Sequence, residues 1–269
     1  MQGGFGVAPK LTYDGYLEIG KLLSLQKPQS SPPDRDELLF IVVHQVHELW
    51  FKVILHELDQ AREAMDKDLA RRATHHVERV VEIQRATLDA IHILETMSSS
   101  DFLRFRDHLN PASGFQSAQF RELELMCGHK RASVLDDHGP EARKRLERRL
   151  AEPSLEDAFY SLLRRSGFEA LTRGSHPEPE RTRRTVAALL PIYQKPDEHA
   201  LFFDLAEALM SLDEQLSLWR LHHVTMVERM IGNKPGTGGS AGVSYLLSTT
   251  KQRAFPDLWA LRTELTPGY

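Results

Sequence analysis

The run Glu37-Leu-Leu-Phe40-Ile-Val-Val-His44-Gln-Val-His47-Glu-Leu-Trp50-Phe51 decides the fold class of this chain. At about 100° of rotation per residue, its two histidines and the flanking Phe40 and Phe51 fall within about 60° of one another on a helix. Burying an imidazole costs free energy unless a partner uses its nitrogens. The stripe therefore predicts a helix that either buries hydrogen-bonded histidines or presents them to a metal or a substrate.

A second long helix is predicted from about Pro196 to Ile231. Its apolar residues recur at alternating three- and four-residue steps, at Phe202, Leu205, Leu209, Leu212, Leu216, Trp219, Met226 and Met230. His223 occupies a position of this seam, whereas His222 lies about 100° away from it. A buried histidine between tryptophan and methionine suits an axial haem ligand in an apolar pocket, and a hydrogen-bonded core histidine explains it equally well.

The rest of the chain has a helical pattern between its breakers, and it sustains no strand pattern or internal repeat. The other main helices are predicted after the cap Thr12, from the cap Asp34 to about Met65, from about Asp68 to Met97, from Asp101 to Leu109 with Ser100 as cap, from Gln116 to Cys127 with Gly128 as its end, and from Leu155 to Arg165 with Ser154 as cap. We therefore predict an all-α bundle and a single domain of residues 1–269. Within it, the more charged and broken segment 131–195 is predicted to form a helical excursion.

Charge and cysteine content exclude several classes of protein. The 269 residues have a net charge of -4, which offers no electrostatic case for nucleic acid or an anionic membrane as partner. The basic run Arg143–Arg149, interrupted by Glu147, is predicted to be a solvated helix face. No long uninterrupted apolar run and no signal peptide is recognisable, so we expect a cytoplasmic protein. The single Cys127 excludes an intramolecular disulfide, multi-thiolate zinc, a cysteine-ligated iron–sulfur cluster and a covalently attached haem.

Histidine-based metal sites are restricted by spacing. The zinc-protease pattern His-Glu-x-x-His is absent, and none of the 13 histidines follows a glutamate by three residues, as ferritin-like di-iron bundles require. A mononuclear iron site made of His44, His47 and Glu48 stays open, although it would leave His223 without a role.

Two further segments offer groups that could bind a ligand. The glycine-rich run Gly236–Gly242 follows a helix and lacks the phosphate-loop lysine, so it is either a plain connector or a segment that closes over a ligand with the Thr237 hydroxyl. Arg104 and Arg106 lie in a short aromatic helix. Either arginine could clamp a carboxylate through two hydrogen bonds, or pair with a nearby acidic residue.

Four blocks of the sequence together resemble the tryptophan 2,3-dioxygenase family. They are Phe40-x-x-x-His44-Gln-x-x-Glu48-Leu-Trp50, Phe105-Arg106-x-x-Leu109-x-Pro111-x-Ser113-Gly-Phe-Gln-Ser117, Trp219-Arg-x-x-His223 and Gly236-Thr-Gly-Gly-Ser240. Their order and approximate spacing match that family from about Leu11 to Leu265. Four matching blocks in order are much more specific than any one block alone.

The resemblance implies a helical bundle that encloses non-covalent haem b, with Fe(II) in the active state, and usually a homotetramer. It implies that L-tryptophan, or a close indole amino acid, reacts with O2 at the indole C2=C3 bond and gives N-formylkynurenine. His223 would be the proximal ligand of the haem iron, and His44 would accept the indole N–H. The other implied site residues are Phe40, Leu109, Arg106 for the carboxylate and Thr237 for the ammonium group on the substrate, Ser113, Gly114 and Trp219 on the haem, and Tyr13, Tyr16 and Leu17, which match a segment that reaches a neighbouring subunit's active site.

Two positions depart from the pattern of the family, and three other functions stay open. Phe102 stands where some members have tyrosine, so a phenol contact with the substrate carboxylate is not expected. His47 replaces a small or aromatic residue, and its role is unassigned. One alternative is a relative that inserts a single oxygen atom into a substituted tryptophan. The second is a non-catalytic haem sensor, which would have no use for the Arg106 and Thr237 pair. The third is a purely structural helical module, which would bind no haem.

Overall fold

The computed structural model describes residues 10–170, 173–237 and 242–265, and it contains no β-strand within them, as the sequence predicts. Three long helices dominate, and both α3 and α10 pack against α4. The α-helices described are α1 (Tyr13–Leu17), α2 (Ile19–Leu22), α3 (Glu37–Asp66), α4 (Ala70–Leu94), α5 (Ser99–Phe105), α6 (Ala118–Met126), α7 (Pro140–Ala151), α8 (Leu155–Arg165), α9 (Glu178–Gln194), α10 (Ala200–Ile231), α11 (Val243–Thr249) and α12 (Pro256–Glu264), with short 3-10 helices at Arg106–Leu109, Gly114–Gln116 and Ala132–Leu135.

Several predicted helix ends are confirmed by side-chain hydrogen bonds. The hydroxyl groups of Thr12 and Ser154 accept from the backbone N–H groups of Gly15 and Asp157, which would otherwise lack partners in the first helical turn. After α6, Gly128 has a φ of 85°, a left-handed conformation that only glycine adopts without strain.

Two predicted caps are wrong by two residues. Asp36, not Asp34, precedes α3, because the Asp34 carboxylate accepts the Asp36 N–H and closes a turn before the helix begins. Ser98, not Ser100, caps α5 and accepts from the backbone of Asp101. In both cases the sequence shows a residue type that favours a helix cap. It does not show which of the neighbouring serine or aspartate residues forms the local hydrogen bond that sets the start of the helix.

The largest hydrophobic cluster includes helices of the segment 131–195. Phe159 and Leu163 of α8 and Leu189 of α9 are fully buried in the same cluster as residues of α3, α4 and α10. Only α7 packs mainly elsewhere, on α6, where Leu146 contributes to a small separate cluster with Leu125. This packing supports our proposal that the chain forms one domain, and it limits any excursion to the region around α7.

The basic run on α7 is not uniformly solvated, which corrects the prediction from sequence. Arg149 is 4% exposed and donates to both carboxylate oxygens of Asp59, at 2.6 and 2.7 Å. It also donates to Glu122 and Glu152. Neighbouring acids on α3 and α6 therefore turn the last residue of the run inward, which a charge pattern within one helix could not indicate.

Helix α3 leaves much of its apolar surface uncovered. By length and composition it is the one helix in the described ranges that could cross a membrane. A single helix of this kind is weak evidence for a membrane span, because the core helix of a soluble protein passes the same test. Its buried side faces α4 and α8, while a second apolar side remains exposed. The exposed apolar residues of α3 are Leu38, Val42, Leu49, Trp50 and Val53.

A buried polar cluster connects α8, α9 and α12. Arg181 donates to both oxygens of Asp257, at 2.7 and 2.9 Å, and the Tyr160 hydroxyl donates to the same carboxylate. Beside them, Glu156 is 1% exposed and accepts from Arg173. Burial raises the pKa of Glu156 to about 7, although Arg173 acts in the opposite direction.

We expect Glu156→Gln to remove part of the pH dependence of stability. Because the folded state raises this pKa from 4.5 to about 7, the native protein binds the proton more tightly than the unfolded chain. The stabilisation that comes from this tighter proton binding by Glu156 is complete below about pH 4.5 and is lost as the pH rises through about 7. Glu156→Gln should increase the free energy of unfolding at pH 8 by about 2 kcal/mol and change it little at pH 5. Urea unfolding at both pH values, with the exposed Glu141→Gln as control, checks this, and an equal effect at both would contradict it.

Candidate functional site

A cavity of about 300 Å³ lies between α3, α4, α5, α6, α10 and α11. The two histidine-bearing helices, recognised separately in the sequence, face this one cavity: His44 and His47 line it from α3, and His223 lines it from α10. Most of its wall is apolar, which suits a large hydrophobic ligand with a few polar anchors. Apolar lining residues include Val43, Phe51, Ile91, Leu94, Met97, Phe120, Val224, Met226 and Met230.

The two histidines of α3 are held by their own helix. The Nδ1 atoms of His44 and His47 donate to the carbonyl oxygens of Phe40 and Val43, at 2.7 and 2.8 Å. In each ring this leaves Nε2 as the nitrogen without a proton. Desolvation by the surrounding protein lowers both pKa values and outweighs the opposing backbone hydrogen bonds. Both side chains are therefore neutral hydrogen-bond acceptors at their Nε2 atoms.

His44 lies against Phe40, which belongs to a cluster of three phenylalanine rings. The Phe40 ring lies 4.1 Å from the imidazole, centroid to centroid, and stacks on Phe102 at 5.6 Å. Phe105 contacts Phe40 edge-on at 5.7 Å. A flat aromatic ligand beside His44 would thus meet ring surfaces, and Phe102 offers it no hydrogen-bonding group.

His223 differs from the other cavity histidines because its nitrogens are uncommitted. Its ring stacks on Trp219, with centroids 5.0 Å apart and planes 6° from parallel. Desolvation by the surrounding protein lowers its pKa to about 4, with smaller contributions from His44, His47 and Arg121. No hydrogen bond to its imidazole occurs within the described part of the chain. Adjacent His222 instead contacts His92 edge-on at 5.1 Å, away from the cavity lining.

The structure distinguishes between the two candidate arginines of α5 and the helix after it. Arg104 is occupied by Asp34 at 2.8 Å and Asp101 at 2.7 Å. Arg106 lines the cavity, and its Nη2 atom donates to the carbonyl oxygen of Pro235 at 2.5 Å. Its other guanidinium nitrogens have no hydrogen bond to any residue of the described ranges. Of these two arginines, Arg106 is therefore the one that can bind a carboxylate in this cavity.

Thr237 contacts the loop around Ala112. Its hydroxyl donates to the carbonyl oxygen of Ala112 at 2.6 Å, which leaves the hydroxyl lone pairs available to accept. Residues 238–241 of the predicted glycine-rich segment lie outside the described residues. Thr237 and Arg106 both line the cavity, so the structure brings together two groups suited to an amino acid's ammonium and carboxylate.

The remaining predicted residues divide into two groups. Ser113, Gly114 and Trp219 line the cavity, whereas Leu109 packs against the hydrophobic cluster that contains Phe105. Tyr13, Tyr16 and Leu17 lie on α1, are exposed and do not line the cavity of their own chain. A single chain therefore leaves α1 without a contact that explains its aromatic side chains.

A charged cluster on the cavity wall was missed in the sequence. Arg121 and Glu124 of α6 and Arg220 of α10 all line the cavity and are buried. Arg220 follows Trp219 directly, and a charged residue beside an apolar seam is the one signal that could have indicated it. The ion pair between Arg220 and Glu124 forms only because α6 and α10 meet in the folded chain.

The donor set fits a haem better than a bare metal ion. Within the described residues, no three side chains of histidine, cysteine, aspartate or glutamate converge to hold a metal, so the His44, His47 and Glu48 site is not formed. Glu48 instead accepts a hydrogen bond from Gln119 at 2.7 Å. A haem needs only one neutral protein nitrogen and an apolar enclosure, and His223 with its surroundings provides both.

The comparisons with known proteins agree on one family. The family model described as tryptophan 2,3-dioxygenase matches residues 4–138 and 138–265. A tryptophan 2,3-dioxygenase from a Nocardioides species is 46% identical over 95% of both chains. Those of Herpetosiphon aurantiacus and Caulobacter vibrioides are each 44% identical, over 95% and 96% of this chain and 98% and 100% of their own lengths.

Proposed function

The chain belongs to the tryptophan 2,3-dioxygenase family, and on this premise we propose that it cleaves the indole C2=C3 bond of L-tryptophan. Both atoms of one O2 molecule enter the substrate, and the product is N-formylkynurenine. The observation that carries the proposal is a single apolar cavity that contains the free imidazole of His223, the acceptor His44 and the pair Arg106 and Thr237.

We propose that His223 would hold the iron of a non-covalently bound haem b, and that Ser113, Gly114 and Trp219 would also contact this haem. A metal ligand must be deprotonated, and burial keeps this imidazole neutral at physiological pH. Trp219 restrains the ring by stacking on it. When bound in its ferrous form, the haem supplies the binding and activation of O2.

His44 positions the indole. Its Nδ1 proton is used on the Phe40 carbonyl, so the Nε2 lone pair is the atom that accepts the indole N–H. Phe40 packs beside it and offers a ring face to the substrate. Leu109, Phe40 and Phe102 pack against the same hydrophobic cluster. These apolar side chains keep water away from the reacting atoms.

Arg106 and Thr237 bind the amino-acid end of the substrate. The guanidinium accommodates the carboxylate, while the Thr237 oxygen accepts from the ammonium group because its own proton is donated to Ala112. With both ends held, the indole has one orientation in the cavity. Such orientation could supply several kcal/mol of the reduction in barrier.

We expect Arg106→Gln to lower kcat/KM for L-tryptophan about a hundredfold, mainly through KM, because a charge-assisted carboxylate contact is lost. Turnover of tryptamine, which lacks the carboxylate, should be nearly unchanged by the substitution. Steady-state kinetics with both substrates check this. Arg104→Gln, which removes an arginine held by Asp34 outside the cavity, is the matched control and should leave both substrates within about twofold. Equal losses for the two substrates would contradict the carboxylate role.

We also propose a cytoplasmic homotetramer without nucleic-acid or membrane partners. The exposed aromatic residues Tyr13 and Tyr16 with Leu17, and the uncovered apolar side of α3, are surfaces that subunit contacts would bury. By position in the family, α1 would complete the substrate site of a neighbouring subunit. Sedimentation of the holoprotein gives the assembly directly, and a monomer would contradict this part.

Product analysis tests the reaction itself. Anaerobic ferrous holoprotein is mixed with L-tryptophan, 18O2 is added, and the product is followed by its absorbance and mass. We expect a product that carries two labelled oxygen atoms. A product with one labelled atom would instead identify a mono-oxygenase, and no product despite bound haem would overturn the proposed function.

A further inference from the structure

Two histidines from different helices meet outside the cavity. His92 of α4 and His222 of α10 have ring centroids 5.1 Å apart, with their planes at 85°. Neither residue lines the cavity, although their neighbours in the sequence, Ile91 and His223, both do. The side chain of His92 is 48% exposed, so the pair is open to solvent. The candidate substrate site uses neither ring.

A carboxylate holds one of these rings. Glu95 Oε2 accepts from His92 Nδ1 at 3.1 Å, because the two residues are three positions apart on one face of α4. In the neutral imidazole this hydrogen bond leaves Nε2 of His92 as the nitrogen with a free lone pair. A carboxylate on the other ring nitrogen is the usual partner of a metal-binding histidine, since it fixes the ring and makes it a better ligand.

His222 supplies the second imidazole. Its ring forms no hydrogen bond to any residue in the described ranges, so neither of its nitrogens is occupied there. The packing of α10 against α4 holds this ring beside His92. His222 therefore differs from His92 in having no carboxylate partner, and it offers its nitrogens to a group that the two helices share.

The separation of the rings suits a single metal ion. A Zn–N bond of about 2.0 Å places the centre of an imidazole ring about 3.2 Å from the ion. Two rings with centroids 5.1 Å apart can then bind one ion with an N–Zn–N angle of about 105°. This angle is close to the tetrahedral value of about 109°, which zinc prefers in proteins.

We propose that His92 and His222 form a surface site for a divalent transition-metal ion that prefers imidazole, with Glu95 as the residue that positions His92. Water completes the coordination, because no third histidine, cysteine or carboxylate of the described residues converges with them. The site is separate from the cavity and does not depend on the proposed function. Imidazole ligands select Zn²⁺, Cu²⁺ and Ni²⁺ over Mg²⁺, which prefers oxygen.

An ion at this site joins α4 to α10 one residue away from His223. The two rings are brought together only in the folded chain, so binding stabilises the native state over the unfolded state. We expect saturating Zn²⁺ to raise the Tm of the protein by about 3 °C or more, and Mg²⁺ to leave it unchanged.

Calorimetric titration of the untagged holoprotein with Zn²⁺ measures the site directly. We expect one ion per chain from this pair, with Cu²⁺ bound more tightly than Zn²⁺. His92→Ala and His222→Ala should each weaken Zn²⁺ binding at least about tenfold and remove the Tm shift. The matched control is His56→Ala, which removes an exposed histidine of α3 and should leave the affinity within about twofold. The Tm of each variant without metal shows that it is folded.

Glu95→Gln tests the positioning role. It should weaken Zn²⁺ binding about tenfold in the otherwise unchanged protein and have no further effect in His92→Ala, because Glu95 acts through that ring. Binding that survives unchanged in either histidine variant would mean that a single surface histidine holds the ion, and it would overturn the inference. Absence of any Zn²⁺ binding would also overturn it, while the proposed cleavage of tryptophan would stand.

Discussion

His223→Ala is expected to abolish tryptophan cleavage, with a loss of at least about a thousandfold in kcat, and to remove the axial histidine ligand of the haem. The reason is that, among the described residues, none forms a hydrogen bond with either ring nitrogen of His223, whereas His44 and His47 already donate Nδ1 to their own helix. Spectra of the ferrous protein and of its carbon monoxide complex report the loss of the histidine ligand. Product formation from L-tryptophan is measured in parallel.

Two controls separate ligand loss from misfolding. His222→Ala changes the next residue of the same helix, which contacts His92 and not the cavity, and it should leave the haem spectrum and kcat within about twofold. Free imidazole added to His223→Ala should restore the spectrum of a histidine-ligated haem, because the substitution leaves a cavity beside Trp219. A histidine-type spectrum that survives in His223→Ala without imidazole would contradict the assignment.

The largest expected effect on stability is at Asp213. Its carboxylate is fully buried and accepts from the backbone N–H groups of Ala254 and Phe255, at 2.9 and 3.1 Å, and from Trp259 Nε1 at 2.9 Å. These bonds attach the start of α12 to α10. Asp213→Ala would leave three donors without their acceptor, so we expect it to lower the free energy of unfolding by about 4 kcal/mol.

Urea unfolding of the holoprotein and of Asp213→Ala measures this loss. Asp213→Asn keeps one acceptor oxygen and should recover part of the stability, which separates hydrogen bonding from side-chain volume. Asp197→Ala, at an exposed position before α10, should change the free energy of unfolding by no more than about 0.5 kcal/mol. A loss below about 1 kcal/mol at Asp213 would mean that the three bonds do not hold α12.

Helices and their histidines were predictable because they depend on residues close in sequence. The spacing of Phe40, His44 and His47 gives one helix face whatever the rest of the chain does, and the seam around His223 separates it from His222 in the same way. Thr12, Ser154 and Gly128 were recognisable as helix ends because each acts within its own turn. The family resemblance added roles for residues on different helices, which spacing alone left open.

Tertiary structure decided which charged groups face the cavity. Residue type and spacing alone do not separate Arg104 from Arg106, whereas in the structure Asp34 and Asp101 occupy Arg104. The charge pattern of α7 alone predicts that Arg149 is a surface residue, but its side chain is buried where it donates to Asp59 of α3. Charges act through space over several ångströms, so their partners are set by which helices meet and not by neighbours along the chain.

The sequence by itself therefore determined an all-α protein of the tryptophan 2,3-dioxygenase family, with His44 and His223 on two separate helices. It could not place Arg121, Glu124 and Arg220 together, because α6 and α10 are distant in sequence and meet only in the folded chain. Local hydrogen bonds and side-chain periodicity specify a helix through residues that are close in sequence. A cavity wall and its charge depend on packing between helices, and only the tertiary structure specifies that packing.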